Sequence, residues 1–357
     1  MSNVLRQRPS TGRGKKLADG WKPVSLHFTP RQQTSVRFAN GKEAFGSCLR
    51  CLDTPCATFS DDEVIPSNFE QFPADRNSEV CAAGAIIKAD GGGAPTINGE
   101  RCILCGVCSS RCPVGAIRLV PGQGAIIDDA PNEAFVEIAQ PDLKQIDAIR
   151  HLFEGLHKEG PQLIESDAIV DEVFSRLGRA WTRVGDRFPN MLARNLLIGA
   201  GVGAAVGRKG NNHMRMDIIL SPPGVERGVA EVEFGQDAVL DAPRDIMDAL
   251  AVLVSRYEWS LDSTTALVVS DVLPNRRSEY WHIIQDIENV FGVQIGTVTI
   301  FALMLFNWNR WILDLSEAQV FFADRETDSY RTEVLEIIIG RALHLGTAPR
   351  PQIDIAK

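Results

Sequence analysis

Residues 102–113 have the sequence Cys-Ile-Leu-Cys-Gly-Val-Cys-Ser-Ser-Arg-Cys-Pro. The cysteines of this run follow the spacing C-x2-C-x2-C-x3-C-P, in which the first three thiolates are each separated by two residues. A short loop with thiolates at that interval can surround one face of a cubic iron–sulfur cluster, and the fourth cysteine then points toward a different cluster. The run therefore predicts that this part of the chain binds a 4Fe-4S cluster.

The other cysteines lie upstream in a looser copy of the same pattern. Cys48, Cys51 and Cys56 are followed after 24 residues by Cys81, and the sequence has no cysteine beyond Cys112. The hexapeptide Cys-Ala-Ala-Gly-Ala-Ile that begins at Cys81 is echoed by Cys-Pro-Val-Gly-Ala-Ile, which begins at Cys112. Disulfide frameworks are typical of small secreted domains, whereas a tight cysteine cluster indicates metal ligation. Structural zinc is the alternative, although zinc sites favour pairs of C-x2-C knuckles.

The two copies resemble the two-cluster bacterial-type ferredoxin domain over roughly residues 44–120. In that family the fourth cysteine of each copy serves the cluster of the other copy. The resemblance implies two 4Fe-4S clusters, one held by Cys48, Cys51, Cys56 and Cys112, the other by Cys102, Cys105, Cys108 and Cys81. The first copy departs from the family pattern: its second spacing is x4, residues 57–80 are a long insertion, and Ala82 replaces the proline.

Length and charge indicate how the rest of the chain is organised. The 357 residues suffice for two domains. The first 47 residues hold nine Lys/Arg against two Asp/Glu, a charge of +7, so the net charge of −9 leaves −16 for the remainder. We expect a flexible basic arm at 1–43, the ferredoxin-like domain at 44–125, a helical connector at 126–187 and an α/β domain at 188–357. The arm is a candidate contact for nucleic acid or an acidic partner.

The sequence also bears on the cellular compartment. No segment offers the roughly 18 predominantly apolar residues that a membrane span requires. The basic N-terminal residues are not followed by the apolar stretch of a secretory signal. We therefore expect a cytoplasmic protein without a membrane partner.

Strands and helices alternate in the C-terminal half. Apolar runs predict strands at 214–220, 228–234, 265–270 and 296–306, and amphipathic periodicity predicts helices at 190–199, 244–260, 278–291 and 332–345. Amphipathic patterns also predict two helices within 142–187. The alternation favours an α+β or α/β domain with a mixed sheet and helices on its faces.

Three carboxylates stand out in this half. Glu231 and Glu233 are two residues apart on a predicted strand and therefore share one face of it. A hairpin through residues 221–227 would bring Asp217, on the preceding strand, close to them. Like charges on one face are unfavourable unless a cation offsets them. Converging carboxylate oxygens suit a hard cation such as Mg²⁺ or Mn²⁺.

This arrangement resembles the PD-(D/E)xK, or restriction-endonuclease-like, nuclease superfamily over roughly residues 185–315. That family places an acidic residue on one strand and E-x-K on the next, between a leading and a following helix. The resemblance implies a catalytic set of Asp217, Glu231 and Glu233, in which Asp217 and Glu231 ligate the metal. Glu233 stands where the family has lysine, so it is interpreted as a second-metal ligand or a base. The alternatives are an inactive, binding-only relative and an ordinary half-exposed strand.

We therefore interpret the chain as an iron–sulfur-containing, Mg²⁺- or Mn²⁺-dependent nuclease. Its substrate is expected to be DNA rather than RNA, in repair or in defence against foreign DNA, and a protein partner is expected. The clusters are interpreted as structural or redox-gating. The alternative is a ferredoxin-type electron-transfer protein or oxidoreductase subunit with a docking or nucleotide-binding C-terminal domain. The glycine-rich run at 199–203 suggests such a nucleotide loop, but the residues before it resemble a helix rather than the required strand.

Overall fold

A computed structural model describes residues 3–7, 27–28, 35–38, 48, 50–51, 53–65, 71–89, 93–112, 116–120, 122–127, 136–139, 167–210, 215–221, 227–235, 238–271, 274, 278–308, 313, 315 and 353–355. Within these ranges no helix combines the length and the apolar character that crossing a bilayer demands. The first strands are β1 (Asn3–Gln7), β2 (His27–Phe28) and β3 (Ser35–Phe38). β1 and β2 pair in antiparallel fashion.

The cysteine-bearing part consists of short elements joined by turns. Its elements are α1 (Asp61–Val64), β4 (Ile86–Ile87), β5 (Thr96–Ile97), α2 (Val107–Arg111), β6 (Ile117–Val120) and β7 (Gly124–Ile127). β4 pairs with β5, and β6 pairs with β7, both in antiparallel fashion. Each of the two echoed hexapeptides ends at the first residue of one of these pairs, Ile86 or Ile117. The internal repeat of the sequence is therefore also a repeat of the backbone.

The C-terminal half is built on a five-stranded mixed sheet. Its elements are α3 (Asp167–Val184), α4 (Phe188–Gly199), β9 (Gly203–Val206), β10 (Ile218–Ser221), β11 (Arg227–Glu233), α5 (Ala242–Tyr257), β12 (Thr264–Ser270), α6 (Glu279–Phe291), β13 (Ile295–Thr299) and α7 (Ile300–Trp308). The strand order is β13-β12-β11-β10-β9. β9, β10 and β11 are successively antiparallel, whereas β11, β12 and β13 are parallel. A sheet covered by helices explains why β10 and β12 are nearly continuous apolar runs.

Two further strands complete the described elements. β8 (Val136–Ala139) pairs with β3, and β14 (Ile353–Ile355) pairs with β1, both in antiparallel fashion. The predicted helix at 332–345 and the first part of the helical stretch at 142–187 lie outside the described residues, but α3 occupies the end of that stretch.

One predicted strand is partly wrong. The apolar run at 296–306 was expected to be a single strand, but β13 ends at Thr299 and α7 begins at Ile300. The Thr299 hydroxyl accepts a hydrogen bond from the backbone N–H of Ala302 at 3.1 Å. That bond satisfies a free donor of the first helical turn, so a threonine within an apolar run starts a helix there.

The glycine-rich run at 199–203 is not a dinucleotide-binding loop. Helix α4 ends at Gly199, and strand β9 begins at Gly203. A dinucleotide loop requires the opposite order, a strand followed by a helix whose N-terminus faces the phosphates. The glycine-rich run therefore does not support the alternative of a nucleotide-binding C-terminal domain.

The cysteine-bearing part packs directly against the sheet. Strand β9 is at the edge of the sheet, and Ala74 forms an antiparallel bridge with Gly207 just beyond it. The N–H of Asp75 donates to the Val206 carbonyl, and the N–H of Arg208 donates to the Pro73 carbonyl, both at 2.7 Å. Residues 73–75, which belong to the insertion that distinguishes the first cysteine copy from its family pattern, thus pair with the chain at the end of the edge strand.

A second junction joins α2 to α4 and α7 through Asn307. The Asn307 side chain is buried, and its amide nitrogen donates to the carbonyls of Leu196 at 3.0 Å and Leu303 at 2.8 Å. The Ser110 hydroxyl lies 3.2 Å from Asn307 Oδ1. A Cβ atom at Gly199 would overlap this same oxygen. Gly199 is therefore required by the close approach of α7 to α4.

We expect Gly199→Ala to destabilise the protein by about 2–4 kcal/mol, because the methyl group displaces a buried amide and breaks its hydrogen bonds. Thermal and denaturant unfolding measure the effect. Gly178→Ala is the matched control, since nothing lies within 4 Å of a Cβ there. On the exposed face of α3 it should stabilise by roughly 0.5–1 kcal/mol. Equal effects of the two variants would contradict the proposed packing.

Candidate cluster and metal sites

The backbone turns in the same way at the second cysteine of each copy. Leu104 and Arg50, the residues that precede Cys105 and Cys51, have φ angles of 61° and 53°. Gly106 continues the second loop with a φ of 84°. Side chains other than glycine rarely adopt these left-handed angles, so the loops are constrained at these positions. The turns let closely spaced cysteines face a common centre.

The fourth cysteine of each copy accepts an equivalent hydrogen bond from the backbone four residues further along. Cys81 Sγ accepts from the N–H of Ala85 at 3.1 Å, and Cys112 Sγ accepts from the N–H of Ala116 at 3.2 Å. Cys102 Sγ accepts from the N–H of Leu104 at 3.4 Å. Backbone N–H donors favour the charged form of a thiol, which is the form that binds iron.

Mutual electrostatic effects reveal which thiols lie together. Burial first, and then the nearby Cys112 and Cys48, raise the pKa of Cys51 to about 11 and that of Cys56 to about 12. Cys112 therefore lies with the first cysteine copy, although it belongs to the second in sequence.

The remaining cysteines form a second neighbourhood. Burial raises the pKa of Cys105, and Cys81 and Cys102 raise it further. The pKa of Cys108 is also raised, first by burial and then by Cys105, Cys102, Cys81 and, last, Cys56. Cys81 is thus placed with the second copy. Each fourth cysteine therefore lies near thiols of the other copy, which is the arrangement that the ferredoxin resemblance implies.

The spacing of the thiols fits an iron–sulfur cluster better than zinc. In a tetrahedral zinc site with Zn–S bonds of about 2.3 Å, the sulfurs are about 3.8 Å apart. Among the described residues, which include all eight cysteines, no three thiol sulfurs lie within 4.8 Å of one another. The described thiols therefore do not form the closed set of a tetrahedral zinc site, and thiolates are the donors that a cubic iron–sulfur cluster takes.

The acidic residues meet where β10 and β11 pair. Ile218 is opposite Ala230, which places Asp217 opposite Glu231 one position further along. The Asn190 side chain of α4 donates to Asp217 Oδ1 at 2.7 Å, and the N–H of Val232 donates to Asp217 Oδ2 at 3.0 Å. The Asp217 and Glu231 carboxyl groups also lie close enough to shift the pKa of one another. The predicted hairpin therefore brings these two carboxyl groups into contact.

A fourth carboxyl group, Asp245, was missed from the sequence. Carboxylate oxygens of Glu231, Glu233 and Asp245 lie within 4.8 Å of one another, whereas Asp217 is outside this set. Asp245 is in the first turn of α5. A helix that follows a strand after a short connection begins near the end of that strand. The first turn of the predicted helix after Glu233 was therefore the place to look for a further carboxylate.

The charged forms of these carboxyl groups are unfavourable, because the groups are partly buried and repel one another. Burial, and then the neighbouring Asp217 and Asp245, raise the pKa of Glu231 to about 10. The same causes raise the pKa of Glu233 to about 7. Burial also raises the pKa values of Asp217 and Asp245. A bound divalent cation would reverse this unfavourable balance.

One oxygen in this set has an unmet bonding requirement. The Glu231 side chain is 7% exposed, and its Oε2 atom is buried without a hydrogen-bond partner. A buried carboxylate oxygen without a partner is costly. With Glu233 and Asp245 beside it, this oxygen makes the set suitable for a metal ion bound through oxygen. Of the predicted ligands, Glu231 lies in the set and Asp217 lies next to it.

Comparisons with known proteins bear on the cysteine-bearing part. The 4Fe-4S binding domain family matches residues 95–118. An uncharacterized ferredoxin of Methanocaldococcus jannaschii is 32% identical over 85 residues, which are 24% of this chain and 40% of that protein. The chain thus matches less than half the length of this relative. No solved structure matches the chain significantly. The protein therefore contains a ferredoxin-type iron–sulfur binding module.

We expect Glu231→Gln to stabilise the metal-free protein at about pH 8, by at least about 1 kcal/mol. The folded state raises the pKa of Glu231 from 4.5 to about 10, so it retains a proton that the unfolded chain releases. Stability is then greatest at low pH and is lost as the pH rises through this window, a loss that glutamine avoids.

Unfolding in the presence of a chelator, at about pH 5 and about pH 8, measures this effect. The gain from glutamine should be small at the lower pH. The exposed Glu100→Gln serves as the control and should change stability little at either pH. A destabilised Glu231→Gln protein at the higher pH would show that the Glu231 charge is already compensated.

Proposed function

We propose that this protein is a metal-dependent phosphodiesterase that cleaves DNA and carries two 4Fe-4S clusters. The observation that carries the proposal is the buried, unpartnered Glu231 Oε2 beside the carboxylates of Glu233 and Asp245. Such a set would bind Mg²⁺ or Mn²⁺. Divalent ions at carboxylate sites commonly serve phosphoryl chemistry.

The order of elements around the acidic site supports a restriction-endonuclease-like domain. Helix α4 leads into β9 and the β10–β11 hairpin, and α5 follows. Asp217 precedes β10, whereas Glu231 and Glu233 lie on β11. This is the layout of the PD-(D/E)xK resemblance, with an acidic residue on one strand and an E-x-E in place of E-x-K on the next.

Each carboxyl group has a distinct position from which to act. Glu231 and Asp245 would hold the ion, which when bound polarises the scissile phosphate and lowers the pKa of an attacking water. Asn190 and the N–H of Val232 hold Asp217 against Glu231. Glu233, whose pKa is about 7, is suited to accept a proton from water near neutral pH or to ligate a second ion.

DNA affinity would come from outside the acidic site. The carboxylate set and a net charge of −9 disfavour binding to a polyanion. The basic residues of the arm at 1–43, or a protein partner, would supply the opposite charge. Arg215 lowers the pKa of Asp245 and lies 3.7 Å from Asp248, so it offers one cation close to the metal site. We propose a cytoplasmic location, in keeping with reduced thiols.

The two clusters would be held by the two thiol neighbourhoods. Cys48, Cys51, Cys56 and Cys112 would bind one cluster, and Cys81, Cys102, Cys105 and Cys108 the other. The grouping of the thiols in space and the 4Fe-4S family match at 95–118 support this assignment. Because this module covers the sheet edge, we propose that the clusters stabilise the domain and that their redox state can gate it.

Electron transfer is the second candidate function, favoured by the similarity to a protein named as a ferredoxin. In this case the acidic site would not cleave DNA, and the C-terminal half would only dock a redox partner. The two functions differ in their dependence on Asp245, which electron transfer does not require.

We expect the anaerobically purified protein to cleave DNA with Mn²⁺ or Mg²⁺, and Asp245→Asn to reduce the cleavage rate by about a hundredfold or more. Single-stranded and duplex DNA are the substrates, with clusters oxidised and reduced. Asp248→Asn is the matched control, since this exposed carboxylate lies one turn further along α5.

Metal binding provides a second readout for these proteins. Titration of Mn²⁺ by electron paramagnetic resonance should show tight binding to the native and Asp248→Asn proteins and weakened binding to Asp245→Asn. Cleavage retained in Asp245→Asn would reject the site. Absence of cleavage and of Mn²⁺ binding in cluster-replete native protein would favour electron transfer.

We expect Cys56→Ser and Cys112→Ser to lose the same cluster, and Cys81→Ser and Cys108→Ser to lose the other. Each variant should retain about half of the iron and acid-labile sulfide, since each group of four holds one cluster. Iron analysis and electron paramagnetic resonance of the reduced proteins check this. If Cys112→Ser matched Cys108→Ser instead, the exchange of the fourth ligand between copies would be wrong.

A further inference from the structure

A buried arginine on α4 lacks a full set of partners. Arg194 is 0% exposed. Its Nε and Nη2 atoms donate to Asn195 Oδ1 at 2.9 and 2.8 Å, and its Nη1 atom is buried without a hydrogen-bond partner. A neutral amide oxygen does not balance the guanidinium charge. A buried cation is strongly unfavourable unless a negative charge lies nearby.

The charged residues around Arg194 leave one positive charge uncompensated. Burial lowers the pKa of Arg194 to about 10, Asp75 opposes this effect and Arg187 adds to it. Asp75 is already paired with Arg187, whose Nη2 atom lies 2.8 Å from the Asp75 carboxylate. Two arginines therefore share one carboxylate within this part of the described chain.

Asn195 links the arginine to Glu79 and Val80, just before Cys81 of the second thiol neighbourhood, whereas the guanidinium of Arg194 faces a ring beside the first. Its Cζ atom is 5.8 Å from the centroid of the Phe59 ring, and Phe59 follows Cys56 by three residues. Arg111, directly before Cys112, lies over the same ring at 4.4 Å. Arg111 forms an ion pair with Glu63 and donates to the Pro55 carbonyl at 2.7 Å. Of these two arginines, Arg194 is thus the one whose charge is not neutralised.

We propose that Arg194 raises the reduction potential of the cluster held by Cys48, Cys51, Cys56 and Cys112, and that this cluster is the counter-charge of the buried guanidinium. The inference rests on the proposed function, which assigns a cluster to these thiols. A cluster held by four thiolates has a net negative charge, and reduction adds another. A fixed cation in a medium of low dielectric constant stabilises the more negative state.

The redox step is a simple one-electron transfer. An external one-electron donor, dithionite in the experiment, supplies one electron to the oxidised cluster, which becomes the reduced cluster. No bond to the protein forms or breaks, and no proton is required. The role of Arg194 is electrostatic, so a lysine that keeps the charge should largely preserve the potential.

The test is an anaerobic redox titration of the full chain, followed by electron paramagnetic resonance. Arg194→Met should shift the potential of one cluster to a more negative value, and Arg194→Lys should remain close to the native protein. Asp75→Asn, which removes a negative charge beside Arg194, should shift the potential of the same cluster to a less negative value. Exposed Arg179→Met on α3 is the matched control and should change neither cluster.

Iron and sulfide content separates the failure of this inference from the failure of the proposed function. Native protein without a cluster at the first four cysteines would overturn the cluster assignment itself. Two clusters whose potentials are unchanged in Arg194→Met would overturn the role of Arg194. If Arg194→Met does not fold, the opposite shift in Asp75→Asn decides, and its absence would also reject the proposal.

Discussion

The constraint on which the rest of the structure depends is the crowding of eight thiols between residues 48 and 112. Burial, and then neighbouring thiols, raise the pKa of Cys51, Cys56, Cys105 and Cys108, so ionising these thiols without a metal is unfavourable. Iron that bonds to the thiolates removes the free-energy cost of ionising them. The left-handed turns and the backbone N–H donors lie beside the same cysteines. The loops of the module have little other regular structure to hold them, since α1 and α2 are each barely more than one turn long. Their conformation must therefore be set largely by ligation and by packing on the C-terminal half.

Helix α4 is the element that connects the two halves. Near its N-terminus Asn190 holds Asp217, and further along Asn195 donates to the carbonyls of Glu79 and Val80, next to Cys81. Its last turn contacts Asn307 and, through it, Ser110 of α2. The same helix therefore contacts both the cysteine-bearing part and the carboxyl groups of the sheet.

The sequence predicts the strands and the repeat well because each depends on local chemistry. The C-x-x-G-A-I echo identified the internal repeat of the module, and the two-residue spacing of Glu231 and Glu233 placed them on one face. The sequence did not reveal that Thr299 starts a helix, because the hydroxyl acts through a hydrogen bond that an apolar pattern does not encode. Asp245 was missed because its place beside Glu231 depends on how α5 packs on β11. The role of the insertion at 57–80 was likewise hidden, since a pairing with β9 across more than a hundred residues leaves no periodic signal.

The pairing of residues 73–75 with the far side of β9 has a consequence for handling the protein. An uncovered sheet edge presents free N–H and C=O groups that can pair with another chain. Here the cover belongs to the module whose loops depend on iron. Oxygen damage that strips the clusters would therefore loosen the cover and leave β9 open to a second molecule. Self-association would then follow oxidative loss of iron, and a loss of solubility would report that the clusters have been damaged.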